Sequence, residues 1–209
     1  MSNGVQARVA HAVTSGTFSL DGGTWEVDNN VWVIGDDTEC VVIDAPHDAE
    51  AIADAINGRD VKAILLTHAH DDHIDAAGEL AAATGAPTYL HAADRMLWDR
   101  VYAEAPDHEL TDGQTFEIAG VSIEVLHTPG HSPGACCFFA ADLGVVFTGD
   151  TLFNGGPGAT GRSFSDFDTI VESITDRLLV LPPTTRVNTG HGDSTTIGDE
   201  AAGREGWKP

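Results

Sequence analysis

The feature that most constrains this chain is an apolar run, residues 61–66 (VKAILL), that ends abruptly in Thr67-His68-Ala69-His70-Asp71-Asp72-His73. Such a run is the pattern of a strand buried on both faces, which requires a sheet covered on each side. Loops at the carboxyl ends of these strands are where α/β proteins place their sites. Three imidazoles and two carboxylates have no packing rationale there. In extended backbone His68 and His70 project to the same side, and a helix entered at Asp72 and His73 turns those two toward a neighbouring point. One short segment can therefore present two ligand sets side by side.

Three further residues stand in matching contexts. His131 lies in Thr128-Pro129-Gly130-His131-Ser132, Asp150 in Thr148-Gly149-Asp150-Thr151, and His191 in Gly190-His191-Gly192. Each follows an apolar run and has an adjacent glycine that lets backbone approach closely. Ions such as Zn²⁺ take imidazole and carboxylate ligands, so the set reads as a metal centre. Asp44, closing the CVVID run, is either a hydrogen-bond partner that fixes the tautomer of a ligand imidazole or a turn-forming Asp before Ala45-Pro46. Thr67 and Thr151 have weaker claims to the same role. His11, His47, His91, His108 and His127 read as surface or packing histidines.

Along the rest of the chain, strands are predicted at 24–27, 31–34 and 40–43, with Asn29-Asn30 and Gly35-Asp36-Asp37 as turns. A helix follows at 49–56, then the buried strand, a helix at 75–83, a short strand at 87–90 and a helix at 92–103. Hairpin strands are predicted at 116–118 and 121–126, and at 135–140 and 145–148. Residues 166–179 make the clearest amphipathic helix, with Ser165 as its N-cap, and 186–189 a last short strand. Two sets of strands, each followed by helices, suggest two sheets packed face to face with helices outside. Periodicity by itself also allows an ordinary three-layer α/β fold. The length, 209 residues, suits one domain spanning 1–209.

Composition removes whole classes of partner. Ten basic against 33 acidic residues give a formal charge of −23, and the only lysines are Lys62 and Lys208. Phosphate backbones and anionic membranes are bound by clustered Lys and Arg, so neither is an expected partner. The scattered acidic residues read as a solvated surface. Cys40, Cys136 and Cys137 form no disulfide framework, and residues 1–10 lack an apolar signal core; a reduced, cytoplasmic protein is expected.

The His-x-His-Asp-Asp-His cluster with separate His131, Asp150 and His191 resembles the metallo-β-lactamase superfamily, specifically its glyoxalase II-like hydrolases. The resemblance spans nearly the whole chain. It implies an α/β fold in the form of an αββα four-layer sandwich with a two-metal cleft at its edge. His68, His70 and His131 would bind one metal; Asp72, His73 and His191 the second; and Asp150 would bridge both. The ions would be zinc, with iron or manganese also accommodated by these ligands. The implied chemistry is attack of a metal-bridging hydroxide on a carbonyl carbon, oriented by Asp72, with the metals stabilising the oxyanion and a leaving thiolate. No separate Ser or Cys nucleophile is then needed.

Departures within the superfamily narrow the choice. One β-lactamase subgroup carries Cys where Asp150 stands. Flavodiiron proteins have an HxExD arrangement, absent here, and RNA-processing members carry basic surfaces. Familiar glyoxalase II enzymes grip glutathione with a basic helical region, whereas here only a short tail with Arg204 and Lys208 follows His191; this argues against glutathione. The stretch GDTLFNGGPGATGRSFSDF is similar to hydrolases of mycothiol-using bacteria, which implies an acyl- or formyl-mycothiol thioester. Within it, residues 154–163 read as a cleft-lining loop in which Arg162 holds a substrate carboxylate or hydroxyl. The substrate is thus expected to be a small-molecule conjugate of a low-molecular-weight thiol. Alternatives on the same fold are an ester or lactone hydrolase, a persulfide dioxygenase using one iron at the positions of His68, His131 and Asp150, or a non-catalytic metal-binding protein. An apolar face near Trp32, Trp98 or Trp207 is the candidate for contacts between copies of the chain.

Overall fold

Alternation of side chains along the central strands, two residues per repeat, sorts the apolar residues into three cores. The computed structural model describes residues 7–208; the polar opening segment, through residue 6, lies outside the described residues. β1 (Arg8–Leu20) and β2 (Gly23–Gly35) form a long antiparallel hairpin, β3 (Glu39–Ile43) pairs with β2, and α1 (Ala49–Ile56) leads to β4 (Asp60–Leu65). Two short helices, α2 (Asp71–Ile74) and α3 (Ala77–Thr84), connect β4 to β5 (Thr88–His91), and α4 (Arg95–Trp98) precedes β6 (His108–Leu110). These six strands form one sheet in sequence order, parallel from β3 onward.

The second half repeats the plan. β7 (Thr115–Ile118), β8 (Val121–His127), β9 (Cys136–Ala140) and β10 (Val145–Gly149) form a meander. After it come the ribbon β11 (Leu152–Phe153) and β12 (Gly156–Pro157), then α5 (Phe167–Ser173), β13 (Arg186–Thr189), β14 (Thr195–Thr196) and α6 (Ile197–Gly203). The second sheet has the order β14-β13-β10-β9-β8-β7.

Val31, Val33, Cys40, Val42, Ile64 and Leu66 pack with Ile52, Leu80 and Leu97 on the helical side of the first sheet. Their alternates Trp32, Ile34, Val41, Ile43, Ala63 and Leu65 meet Ile123, Val125, Phe138 and Phe147 between the sheets. Cys137, Val146 and Val187 turn outward onto Ile170, Ile174, Leu178 and Ile197. Helices, sheet, sheet, helices: this is the αββα sandwich, and a strand covered on both faces explains the apolar run at 61–66.

Several local expectations are corrected. Asn29-Asn30 is not a turn but the buried middle of β2, facing the site described below. β1 escaped notice because its residues alternate between exposed and half-buried positions with few large apolar side chains. The helix expected at 75–83 is preceded by a separate turn of helix, because the Ala45 carbonyl captures the Ala76 N–H at 3.0 Å. The one expected at 92–103 shrinks to a 3₁₀ turn and α4, after which the Trp98 carbonyl accepts from both Val101 N and Tyr102 N and the Tyr102 hydroxyl is drawn to the Ile74 and Asp75 carbonyls. Asp166, not Ser165, caps α5, accepting from Thr169 N at 2.8 Å, and the helix runs on as a wider turn, Ile174–Leu178. α6 was not expected at all; Thr196 caps it. Trp32 and Trp98 are 6% and 4% exposed, so they belong to cores rather than to a docking face. Among the described residues no helix is long and apolar enough to cross a membrane.

Candidate metal centre

The two sheets bring four loops together at one edge. Thr67 and the residues after it leave β4, the 128–135 loop joins β8 to β9, Asp150 follows β10, and residues 190–192 follow β13. Main-chain bonds stitch them: Cys136 N–H donates to Thr67 O at 2.7 Å, Gly190 N–H to Gly149 O at 2.8 Å, and Asn30 N–H to Gly190 O at 2.7 Å. At Gly190 a side chain would strike the Asp150 carboxylate, so glycine is required for this approach.

All seven residues read as ligands converge here. His68 Nε2 and His131 Nε2 each lie 3.0 Å from His70 Nδ1. Beside them, His73 Nε2 is 3.3 Å from His191 Nε2, and Asp72 Oδ2 is 3.4 Å from His191 Nε2 and 3.7 Å from His73 Nε2. Asp150 stands between the groups, its Oδ1 3.3 Å from His73 and its Oδ2 3.5 Å from His131 and 3.4 Å from His191.

The outward-facing nitrogens decide what points inward. His73 Nδ1 donates to Asp44 Oδ2 at 2.9 Å, His131 Nδ1 to Ala159 O at 2.9 Å, and His191 Nδ1 to Asp28 O at 2.8 Å. Thr67 Oγ1 donates to Asp44 Oδ2 at 2.8 Å and accepts from His68 Nδ1 at 3.1 Å. Each Nε2 therefore turns an acceptor lone pair inward when the ring is neutral. Three ring nitrogens meeting at 3.0 Å cannot be satisfied by one shared proton, and Asp150 Oδ1 and His70 Nε2 are buried without a hydrogen-bond partner. Converging lone pairs with an orphaned carboxylate oxygen fit divalent cations. Three groups have the spacing to hold an ion: His68, His70 and His131; His68, His73 and Asp150; and Asp72, His73 and His191.

Electrostatics divide the imidazoles. Burial pushes His68 well below the usual histidine range and His70 down to about 3, with neighbouring imidazoles adding to the effect. Burial opposes charge at His73 and His191 too, but Asp150 and Asp72 outweigh it, holding His73 well above its ordinary value and His191 at about 10. A cation must displace protons from His73 and His191 at neutral pH, whereas His68 and His70 are already free. Uptake by the Asp72, His73 and His191 group is therefore expected to release protons and to strengthen as pH rises toward about 10. Calorimetric titration with Zn²⁺ in buffers of different ionisation enthalpy measures this; a binding heat independent of buffer would contradict it.

Asp44 has left-handed backbone (φ 59°) and binds Thr67 N at 2.7 Å through its other oxygen, so it joins β3 to the start of the cluster while holding His73. Thr151 follows Asp150, but its Oγ1 lies 3.1 Å from Thr128 Oγ1, and among the described residues no side-chain hydrogen bond joins it to any of the seven. Arg162 sits on the rim with its guanidinium 3.8 Å from the Trp25 ring centre and 5.8 Å from that of Phe18, and no carboxylate pairs with it among the described residues. Phe18, Trp25, Arg162, Ser163 and Ser165 wall a cavity of about 240 Å³ whose floor is His70, Asp72, His131, Asp150 and His191. The hairpin tip closes one side, Asp21 accepting from Ser163 N at 2.9 Å.

Three supporting residues were missed in the sequence. Asn29 Nδ2 donates to Asp72 at both its main-chain oxygen (2.8 Å) and Oδ2 (3.0 Å). Asn30 Nδ2 donates to Thr189 O and Gly192 O, at 3.0 and 2.9 Å, and so shapes the loop that carries His191. Two asparagines directly before the apolar VWVI segment were the available signal. Asp94, fully buried, accepts from Ala69 N at 3.1 Å, Ser132 Oγ at 2.7 Å and Gly134 N at 2.5 Å; nothing in its Ala-Ala-Asp context announced this.

The comparisons with known proteins agree with the geometry. The family model of the metallo-beta-lactamase superfamily matches residues 24–191. The chain is 34% identical over 181 residues to the hydroxyacylglutathione hydrolase GloC of Haemophilus influenzae, covering 79% of this chain and 85% of that one. It is 35% identical over 176 residues to the probable metallo-hydrolase YqgX of Bacillus subtilis, covering 77% and 83%. Among solved structures, the B3 metallo-beta-lactamase BLEG-1 superposes with a TM-score of 0.78 at 33% identity, over 90% of this chain and 97% of the other. TTHA1623 in a di-iron-bound form gives 0.75 at 33%, over 90% and 96%. The chain belongs to the metallo-β-lactamase superfamily and is a metallo-hydrolase with glyoxalase II-like relatives. Its His/Asp groups and its family imply divalent metal ions.

Proposed function

We propose that the protein is a binuclear metal-dependent hydrolase of a small thioester. The observation that carries this reading is the second ligand group, Asp72, His73 and His191, lying beside the first and joined to it by Asp150 at 3.3–3.5 Å. His68, His70 and His131 would hold one ion, the second group another, and Asp150 both. When bound, such ions lower the pKa of water and polarise a carbonyl oxygen.

The chain's own residues do the rest. Asp72 lines the cavity, and Asn29 occupies its Oδ2, leaving Oδ1 without a hydrogen bond among the described residues; Oδ1 is the atom that accepts a proton from the attacking water. Phe18 and Trp25 exclude water from the acyl side, and Arg162 receives a carboxylate or hydroxyl of the substrate. A cavity of about 240 Å³ takes the acyl group and sulfur, so the thiol carrier extends past the rim. GloC acts, by its name, on a hydroxyacylglutathione; the sequence resemblance points instead to mycothiol.

The test is a panel of acyl and formyl thioesters of mycothiol and glutathione, with an ester, a lactone and a β-lactam, run beside oxygen uptake on a persulfide and elemental analysis of the purified protein. Thioester turnover with two ions per chain is the expected result. Oxygen consumption with one iron would replace the reading with the dioxygenase, and preference for the β-lactam, ester or lactone would replace its substrate. Glutathione thioesters turned over as well as mycothiol ones would remove the mycothiol assignment alone.

A further inference from the structure

Of the histidines read as surface or packing residues, His47 has only 4% of its side chain exposed and stands one side chain away from the metal centre. Asn29 Nδ2 donates to the main-chain oxygen and Oδ2 of Asp72 at 2.8 and 3.0 Å and lies 3.5 Å from His191 Nε2. Asn29 Oδ1 then faces His47 Nε2 at 2.9 Å, so that nitrogen carries the proton and donates. Asp75 grips His47 from the other side, accepting from its main-chain N at 2.6 Å and lying 3.2 Å from Nδ1.

The placement is over-determined. His47 has φ 60°, a conformation a non-glycine residue keeps only where its surroundings enforce it. Thr14 Oγ1 donates to the Pro46 carbonyl at 3.0 Å. At position 16, in β1, any Cβ would collide with the His47 ring, so glycine makes the space.

An asparagine amide has two nearly isosteric orientations. The Asp72 oxygens fix which way round the Asn29 amide sits; without a donor opposite Oδ1, that oxygen is left unpaired and the amide loses the anchor that holds Nδ2 against the Asp72 carboxylate. We propose that His47 is a positioning residue: acting through Asn29, it fixes the Asp72 carboxylate with Oδ2 toward His73 and His191 and Oδ1 free. This rests on the role given to Asp72 above.

His47→Phe keeps the ring volume and removes the donor; His47→Gln restores a donor. Zn²⁺ affinity of the weaker of the two sites, by competition with a chromophoric chelator, is read together with thioester kinetics and thermal melting. Loss of an outer partner of a metal ligand typically costs about 10–100-fold, so His47→Phe is expected to weaken that site and lower kcat by about this factor with KM little changed. His47→Gln is expected to recover most of both, and the two variants to melt alike. Wild-type affinity and kcat in His47→Phe would overturn the inference, as would equal losses in both variants, which mark a role in shape alone. Asp72→Asn separates the two readings. Full activity there removes the role of Asp72 and this inference with it, whereas lost activity there beside an unchanged His47→Phe overturns the inference alone.

Discussion

Asp72→Ala is expected to abolish measurable turnover, a loss of about 10²–10⁴-fold for removing a positioned proton acceptor, while far-UV circular dichroism stays that of the parent. The asymmetry follows from what the carboxylate touches. It is 2% exposed, in the first turn of α2, and its Oδ2 faces Asn29, His73 and His191. Removing it leaves the Asn29 amide its bond to the main-chain oxygen of residue 72 at 2.8 Å, so no buried donor is orphaned and the sandwich keeps its packing. Stopped turnover assays alongside circular dichroism check both halves. Full activity in the variant would take Asp72 out of the reaction.

Asp150→Ala is expected to be as severe and to act on metal content as well. The Asp150 carboxylate lies within 3.5 Å of ring nitrogens in both ligand groups, and losing the charge stabilisation that two ions supply corresponds to about 10³-fold or more in rate. Elemental analysis should show fewer ions per chain than in the parent; a parent-like content with parent-like kinetics would contradict the bridging role. The metal-free proteins carry a second signature. Burial opposes charge on His191, and Asp150 leads the groups that nonetheless raise it to about 10. A raised folded-state value stabilises fully below the unfolded value of about 6.5 and fades as pH rises through about 10. Metal-free Asp150→Ala should therefore melt below metal-free parent at mildly acidic pH, with the gap closing toward pH 10.

What could be read in the sequence, and what could not, follows from range. The apolar run at 61–66 and the cluster after it carry their own meaning, because period-two burial and ligand spacing are local properties. His131, Asp150 and His191 were legible as repeats of one context, strand then glycine, and the structure brings them beside His68–His73. Asn29, Asn30 and His47 were not legible. Their significance lies in contacts across 43, 159 and 18 positions, and a polar pair inside a strand imitates a turn until its partners are known. The shortened helix after β5 and the unforeseen α6 have the same origin: tertiary contacts overrode local propensity. Asp94 carried no local signal whatever.

Asp94 bears on how the loops that carry the candidate ligands are held. One carboxylate ties Ala69, set between His68 and His70, to Ser132 and Gly134, which follow His131. Loops from different sheets are thereby joined through one buried side chain. Small zinc modules tie their chains together through the ion, whereas here hydrogen bonds to a buried carboxylate also join the ligand loops. A change at Asp94 therefore reaches two ligand loops at once.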